Sequence, residues 1–300
     1  MNRSIVAFAL TILLAVFVQA QTTITDANFR VFDSEGQPSS LEKIIEAAGN
    51  VDVVFLGEQH DDAVGHFLEN EIFRQVFAKY GKQRTVALSL EMFERDEQIV
   101  VNEYLQGLIT EKKFLDDSRP WGNYKTDYRP LVEFAKANKL DVIAANAPRR
   151  YVNMVSRNGR GAVDQLSSDA KKWLAPLPYS EASETYAKKF TALMGGSNEA
   201  SMGIRNILDS QSLWDATMAD SMAKYLKQNK NALIVQLNGS FHSADRLGTV
   251  EHLLRYRPKA KVLVVTMRYE DDFQSFDKAK DTKIGDFIIL TDAKIPRSKR

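Results

Sequence analysis

The sequence predicts an α/β fold in which helices flank an open, mainly parallel sheet. One observation is that four short runs are rich in β-branched and aliphatic residues, at Val51–Leu56, Thr85–Leu90, Asp141–Ala145 and Ala232–Leu237. Their apolar character is continuous rather than alternating, which is typical of parallel strands covered on both faces. The second observation is that helical patterns separate these runs. Strand and helix therefore alternate along the chain, as they do in α/β proteins.

Further elements extend this core on both sides. Lys261–Met267 is predicted as a fifth strand, and Phe287–Leu290 and Phe29–Phe32 as edge strands. The clearest helical patterns are Ala63–Tyr80, Asp96–Gly107, Tyr128–Asn138 and Gly248–Tyr256. Residues from about 149 to 229 contain helical segments and no convincing strand, with a turn predicted at Gly195-Gly196-Ser197-Asn198. We interpret this stretch as a helical subdomain, inserted before the fourth central strand of a single domain that spans residues 21–300.

The first 20 residues have the pattern of a cleavable signal peptide. Arg3 precedes an apolar run from Ile5 to Val18, and the small residues Val18 and Ala20 fit cleavage after Ala20. The run is shorter than the roughly 20 residues that a membrane-spanning helix needs. We therefore expect an exported protein, periplasmic or extracellular, whose working part begins near Gln21.

Composition excludes several classes of site and partner. The chain has no cysteine, so it has no disulfide, no thiolate metal site and no cysteine nucleophile, and it is not expected to be a lipoprotein. Of the 40 basic residues, Arg3 would be lost with the signal peptide, which leaves as many basic residues as the 39 acidic ones. The mature chain would therefore have no formal net charge. A neutral chain has no general attraction to nucleic acid or to anionic lipid. No second apolar segment approaches membrane-spanning length, so we expect no spanning helix in the mature chain.

Polar side chains follow the four central strands at the point where each strand ends. In an open parallel sheet these ends share one edge, and ligands bind in the crevice outside it. The polar residues at these positions are Glu58, His60, Glu91, Asn146, Arg149, Asn238 and His242. We therefore predict that residues far apart in the sequence converge on one pocket.

The spacing Gly-x-x-His occurs after two of these strands, from Gly57 to His60 and from Gly239 to His242. A glycine at a strand end permits a sharp turn with positive φ, which could aim the histidine back over the sheet. Together with Glu91, the two imidazoles predict either a divalent metal site or a catalytic base with its orienting acid. In both cases the candidate catalytic or metal-binding residues are His60, Glu91 and His242.

Simpler roles stay open for the same residues. The two histidines could cap helices or bond within loops, and Glu91 could form a structural ion pair with Arg149. The two asparagines could hold turns together. His66 and His252 lie inside helical patterns without a partner motif, so we interpret them as ordinary helix residues.

Tyrosines are a further possible source of chemistry. Tyr151, Tyr179 and Tyr186 lie in the helical stretch, and Tyr124 and Tyr128 follow Trp121 in an aromatic cluster. Most are interpreted as core or interface aromatics. A phenol that faces an apolar cleft could ligate ferric haem, but the sequence does not select one of them.

Five motifs, taken in order, resemble the ChaN family of the haem-uptake and Tiki superfamily. They are Phe55–Asp62 with His66, Ser89–Phe93, Ala144–Arg149, Gln211–Met218 and Leu237–His242. The resemblance extends from about Val51 to Met267. It implies an α/β core with a helical insertion that binds haem in the cell envelope and serves iron acquisition. It also implies a tyrosine ligand to the iron, an assisting histidine, and pairs of haems held between two subunits of a homodimer.

The resemblance implies haem as the cofactor and a set of candidate haem-binding residues. These are Glu58, His60, Asn146, Arg149, Tyr151, Tyr179, Asn238 and His242, with Tyr151 and Tyr179 as the candidate tyrosine ligands. The missing lipobox cysteine departs from the typical family pattern and leaves membrane attachment in question.

The wider superfamily implies an alternative function. Tiki-like members are similar in pairing Gly-x-x-His motifs with a glutamate for metal-dependent peptide hydrolysis, and erythromycin-esterase relatives use a histidine as general base. His60, Glu91 and His242 match those positions. A divalent metal held there would lower the pKa of a bound water and make it the nucleophile.

Overall fold

The computed structural model describes residues 23–195 and 202–299. The predicted signal peptide, residues 1–20, lies outside the described residues, as do Gly196, Ser197 and Asn198 of the predicted turn. Gly195 does lie in a turn, with φ of +83°. The α/β prediction is confirmed, because one seven-stranded sheet forms the centre of the molecule with helices packed on its faces.

The strands are β1 (Phe29–Asp33), β2 (Val53–Glu58), β3 (Thr85–Glu94), β4 (Asp141–Asn146), β5 (Ala232–Gly239), β6 (Val262–Glu270) and β7 (Phe287–Asp292). They lie in the order β1-β7-β6-β2-β5-β3-β4, and every neighbouring pair is parallel except β1 with β7. The prediction that Phe287–Leu290 forms an edge strand is wrong, because β7 lies between β1 and β6. An apolar run indicates that a strand is buried, but it does not identify the strands that pair with it.

The helices are α1 (Leu41–Ala48), α2 (Ala63–Tyr80), α3 (Gln98–Leu105), α4 (Glu111–Asp117), α5 (Arg129–Ala137), α6 (Arg149–Asn158), α7 (Ser168–Lys171), α8 (Glu184–Leu193), α9 (Met202–Gln228), α10 (Thr249–Tyr256) and α11 (Lys278–Asp281). The prediction for α2 agrees at both ends. It begins after Asp62, whose side chain accepts a hydrogen bond from the backbone N–H of Val64 and so caps the first turn.

Successive residues of each central strand contact opposite layers of helices. In β2, Val54 and Leu56 pack in the core that includes α1, α2 and α5, whereas Val53 and Phe55 pack against α9 and α10. All four side chains are fully buried. Burial of a side chain of this size contributes about 1.5–3 kcal/mol, so the strand is stabilised from both faces. This two-sided burial explains why the run is apolar without alternation.

The segment between β4 and β5 consists of helices α6 to α9 over the described residues. Arg95, at the end of β3, anchors α9 by donating to the carbonyl oxygen of Thr217 at 2.7 Å and to Asp220 at 2.9 Å. Its guanidinium is buried, and the Asp220 carboxylate compensates its charge. The anchor fixes α9 beside the carboxyl end of the sheet. No helix in the described ranges has both the length and the apolar character needed to cross a bilayer.

Candidate functional site

A cavity of about 920 Å³ opens at the carboxyl ends of the parallel strands. The structure brings five of the predicted site residues to its wall: His60, Glu91, Asn146, Arg149 and His242. Aromatic side chains form much of the remaining wall, namely Trp121, Phe190, Trp214 and Phe241. The cavity thus combines an apolar lining with two imidazoles.

Glu58 orients the first of these imidazoles. It is the last residue of β2, and its buried Oε1 accepts hydrogen bonds from His60 Nδ1 at 2.5 Å and from the Tyr128 hydroxyl at 2.7 Å. Burial raises the pKa of Glu58, but His66 and His60 outweigh this effect and hold the pKa well below its usual range. An ionised Glu58 fixes the His60 proton on Nδ1, which leaves the lone pair on Nε2 available.

Gly239 provides the space that the His60 ring needs. A β-carbon at position 239 would lie 2.7 Å from His60 Nε2, closer than side-chain atoms approach. The predicted positive φ is wrong for both motif glycines, since Gly239 has φ of −53° and Gly57 belongs to β2. Gly239 is therefore required for the close approach of the imidazole and not for an unusual backbone conformation.

Asp215 orients the second imidazole. This residue of α9 is fully buried, and its carboxylate accepts hydrogen bonds from His242 Nδ1 at 2.8 Å and from the hydroxyls of Tyr186 and Thr249 at 2.7 Å. Burial lowers the pKa of His242, but Asp215 and Glu91 outweigh this effect and raise the pKa to about 9. His242 is therefore protonated at neutral pH. Each imidazole is thus oriented through Nδ1 by its own buried carboxylate, His60 by Glu58 and His242 by Asp215.

Glu91 lies between the two histidine systems. Its Oε2 accepts a hydrogen bond from the backbone N–H of Gly239 at 2.7 Å, and its Oε1 lies 3.8 Å from His242 Nε2. Glu91 does not form the structural ion pair with Arg149 that its sequence position allowed. Arg149 instead lies 3.9 Å from Glu94, and two thirds of its side chain is exposed at the cavity rim.

The other predicted site residues have structural contacts. Asn146 donates to the Glu91 carbonyl oxygen at 3.0 Å, and Asn238 donates to the Gly239 carbonyl oxygen at 2.9 Å, so both hold turns at the strand ends.

The hydroxyl of Tyr179 donates to the Asp209 carbonyl oxygen at 3.1 Å, and burial raises the pKa of this phenol. Tyr151 packs under Arg150. Glu58, Asn238 and both tyrosines lie outside the cavity lining.

His66 is not the ordinary helix residue that its sequence context indicates. It is 4% exposed, and its Nδ1 lies 3.0 Å from Glu69 Oε2 and 3.4 Å from Glu58 Oε2. His252 agrees better with that expectation, because burial lowers its pKa to about 4 and keeps it neutral. The sequence offers one signal for the His66 group: acidic Glu69 follows it by three residues on the same face of α2.

Two groups in the described ranges bring three or more metal-ligating side chains within 4.8 Å of one another. They are Glu58 with His66 and Glu69, and Glu94 with Asp96 and Glu97. The predicted trio His60, Glu91 and His242 is not such a group. Its members line one cavity without meeting at one point.

Comparison with known proteins connects this architecture to haem-binding proteins. Residues 44–253 match the family described as haem-binding uptake, Tiki superfamily, ChaN. Comparison with curated protein sequences gives no match. Among solved structures, ChaN of Campylobacter jejuni, described by its cofacial haem binding, has a TM-score of 0.65 at 18% identity, over 89% of this chain and 98% of that one. At this identity the likeness shows the fold.

Two other solved structures match less well. The type III effector HopBA1 has a TM-score of 0.47 at 12% identity, over 84% of this chain and 93% of that one. A mutant of the erythromycin esterase EreC has a TM-score of 0.44 at 12% identity, over 88% of this chain and 83% of that one. The family match supports a haem-binding function and does not favour the alternative hydrolase.

Proposed function

Since the chain belongs to the ChaN family of haem-binding uptake proteins in the Tiki superfamily, we propose that it binds haem in the cavity at the carboxyl ends of the strands. The observation that carries this proposal is the His60 imidazole in an aromatic cavity wall, oriented by the bond from its Nδ1 to Glu58. An imidazole nitrogen is a common protein ligand to haem iron. Glu58 accepts the Nδ1 hydrogen of this ring, so the tautomer that it orients carries its lone pair on Nε2.

The residues present fit such a ligand. Haem is a large flat ring with an apolar face and two carboxylates at one edge. The cavity of about 920 Å³ is at the upper end of the roughly 300–1,000 Å³ usual for small-molecule sites. Trp121 and Phe241 offer apolar faces, and the exposed Arg149 at the rim offers a partner for a carboxylate. Bound haem would supply an iron centre that His60 can ligate.

We assign the protein ligand of the iron to His60 rather than to a tyrosine. Tyr151 and Tyr179 lie outside the cavity lining, and the phenol of Tyr179 is already bonded to a backbone carbonyl oxygen. His242 is proposed as a charged donor to the bound ligand, since Asp215 keeps its ring protonated.

A hemin titration of residues 21–300 tests this proposal. We expect saturable binding with a Soret band, and we expect His60→Ala to weaken the affinity at least about tenfold and to shift the band, because the iron loses its imidazole. Tyr151→Phe and Tyr179→Phe are the controls and should leave the band unchanged. Binding no stronger than that of an unrelated α/β protein would reject the haem function. A band that moves only with a tyrosine variant would reject His60 as the ligand.

We further propose that the protein is exported and serves haem or iron acquisition in the cell envelope. The signal-peptide pattern of residues 1–20 and the uptake family support this location. In cells that express the full chain, we expect the product outside the cytoplasm with Gln21 as its first residue. An uncleaved chain confined to the cytoplasm would contradict export. Sedimentation with and without hemin tests the homodimer that the family resemblance implies.

A further inference from the structure

A second group of polar side chains is buried beneath the cavity, between α2 and the turn at Tyr124–Tyr128. Its members are Glu58, His66, Glu69 and Asp127, each 5% exposed or less. His66 is at the centre of the group. Its Nδ1 faces Glu69 and Glu58, and its Nε2 lies 3.4 Å from Asp127 Oδ2 and 3.3 Å from the backbone oxygen of His60. Three carboxylates thus surround one imidazole.

This buried group has no lysine or arginine partner in the described ranges. In the described part of the chain, no lysine or arginine forms an ion pair with Glu58, Glu69 or Asp127, whose charged partners are His60 and His66 alone. In addition, Glu58 Oε2 and Glu69 Oε1 are fully buried and accept no hydrogen bond. A buried carboxylate without compensation costs several kcal/mol. Burial and Glu58 raise the pKa of Glu69, and Glu58 and Glu69 raise the pKa of His66 against the effect of burial, so protons compensate the group in the metal-free protein and a metal ion would replace them.

The other acidic group of the chain provides a contrast. Glu94, Asp96 and Glu97 also bring their oxygens within 4.8 Å of one another. Arg119 lies 2.9, 3.1 and 2.6 Å from these three carboxylates, and Arg150 lies 2.5 Å from Asp96. The protein's own side chains thus neutralise that group. The group around His66 contains no equivalent arginine in the described ranges.

We propose that Glu58, His66 and Glu69 bind a divalent metal ion. Zinc and similar ions bind histidine nitrogen and carboxylate oxygen at about 2.0–2.2 Å, which places neighbouring ligand atoms about 3–3.5 Å apart. The separations of 3.0 and 3.4 Å between His66 Nδ1 and the two carboxylate oxygens fit this spacing. One nitrogen with two carboxylates suits Zn²⁺ or Mn²⁺.

The far side of His66 supports the same assignment. A metal-bound histidine generally donates its other ring N–H to a carboxylate or a backbone carbonyl, which orients the ring. His66 Nε2 faces both kinds of acceptor, in Asp127 and in the backbone oxygen of His60. Asp127 is itself held by Asn123 at 2.6 Å and Ser298 at 2.8 Å. Glu58 is shared with the haem cavity, because its Oε1 accepts the hydrogen bond from His60, but metal uptake can be measured without haem.

Metal uptake by the haem-free protein tests the proposal. After treatment with a chelator and dialysis, residues 21–300 are titrated with Zn²⁺ or Mn²⁺, and bound metal and the thermal midpoint are measured. We expect one ion per chain and a higher midpoint. Glu69→Gln removes a ligand and should weaken binding at least about 100-fold, and Asp127→Asn, which changes only the orienting contact, about 10–100-fold.

A control variant distinguishes the possible binding places. Glu97→Gln alters the other acidic group and should leave uptake unchanged. A wild-type chain that takes up no ion overturns the proposal. Uptake that survives Glu69→Gln but disappears with Glu97→Gln also overturns it, because the ion then binds elsewhere. If Glu69→Gln does not fold, Asp127→Asn and the wild-type titration decide.

Discussion

Replacement of Asp215 by alanine is expected to lower the free energy of unfolding by about 3–5 kcal/mol. The buried carboxylate accepts hydrogen bonds from His242, Tyr186 and Thr249. Alanine would leave these three donors without an acceptor in a place from which water is excluded, and the charge of His242 would lose its partner. Urea unfolding of residues 21–300 measures the loss.

The matched control for this change is Asp141→Ala. Asp141 also accepts a hydrogen bond from a tyrosine hydroxyl, that of Tyr225, but the pair is exposed. We expect a loss below about 1 kcal/mol for the control, because water replaces an exposed partner. Equal losses for the two variants would contradict the role assigned to Asp215.

The Asp215–His242 pair gives the protein a pH dependence that Asp215→Asn should reduce. The pKa of His242 is raised from 6.5 to about 9 in the folded state. The stability that the protonated His242 gives the fold is therefore complete below pH 6.5 and is lost as the pH rises through about 9. Between these two values only the folded state still holds the proton. Between pH 6 and 10, wild type should lose up to about 3 kcal/mol more than Asp215→Asn, since Glu91 supplies part of the shift. Parallel curves for the two proteins would show that the pair does not control this dependence.

Gly239→Ala is expected to reduce hemin affinity at least about tenfold, a loss of about 1.4 kcal/mol or more. The backbone of Gly239 is in a conformation that alanine adopts freely, so the fold should persist. The added carbon would lie 2.7 Å from His60 Nε2 and would push the ring away from its bond to Glu58. The hemin titration described above measures the effect.

For Gly239→Ala, the free energy of unfolding must be measured together with the hemin affinity. We expect the free energy of unfolding to change by less than about 1 kcal/mol, since the displaced atom is the end of a side chain. Gly161→Ala is the control, because a carbon added there meets no atom within 4 Å. Unchanged hemin affinity in Gly239→Ala would show that the position of the His60 ring does not matter for haem.

The strands were predictable because buried parallel strands have a distinctive sequence pattern. Residues 53–56 of β2 and 232–235 of β5 are apolar at consecutive positions, since both faces of these strands are covered. Pairing was not predictable to the same degree. The β7 run is apolar for the same reason, and no local signal indicates that β1 covers its outer side in the antiparallel direction. The order of strands depends on contacts between residues far apart in the chain.

The candidate site was predictable where it follows from strand ends and not where it depends on helix packing. His60 and His242 follow strands, and Glu91 lies near the carboxyl end of β3, so the rule for parallel sheets places them at one edge. Asp215 lies in the middle of a long helix, and only packing brings it to His242. One signal was present: Asp215 is a charged residue next to apolar Leu213 and Trp214. A charge in such a context indicates a buried partner elsewhere.

The central position of β2 has a consequence for how the chain acquires its structure during synthesis. Val53 pairs with Ile234 on one side and with Val262 on the other. A nascent chain that has not reached β5 and β6 therefore leaves both edges of β2 without hydrogen-bond partners. Sheets built from such distant pairings form slowly. We expect the core to fold only after most of the polypeptide has been made, so the early segments depend on the late ones for their order.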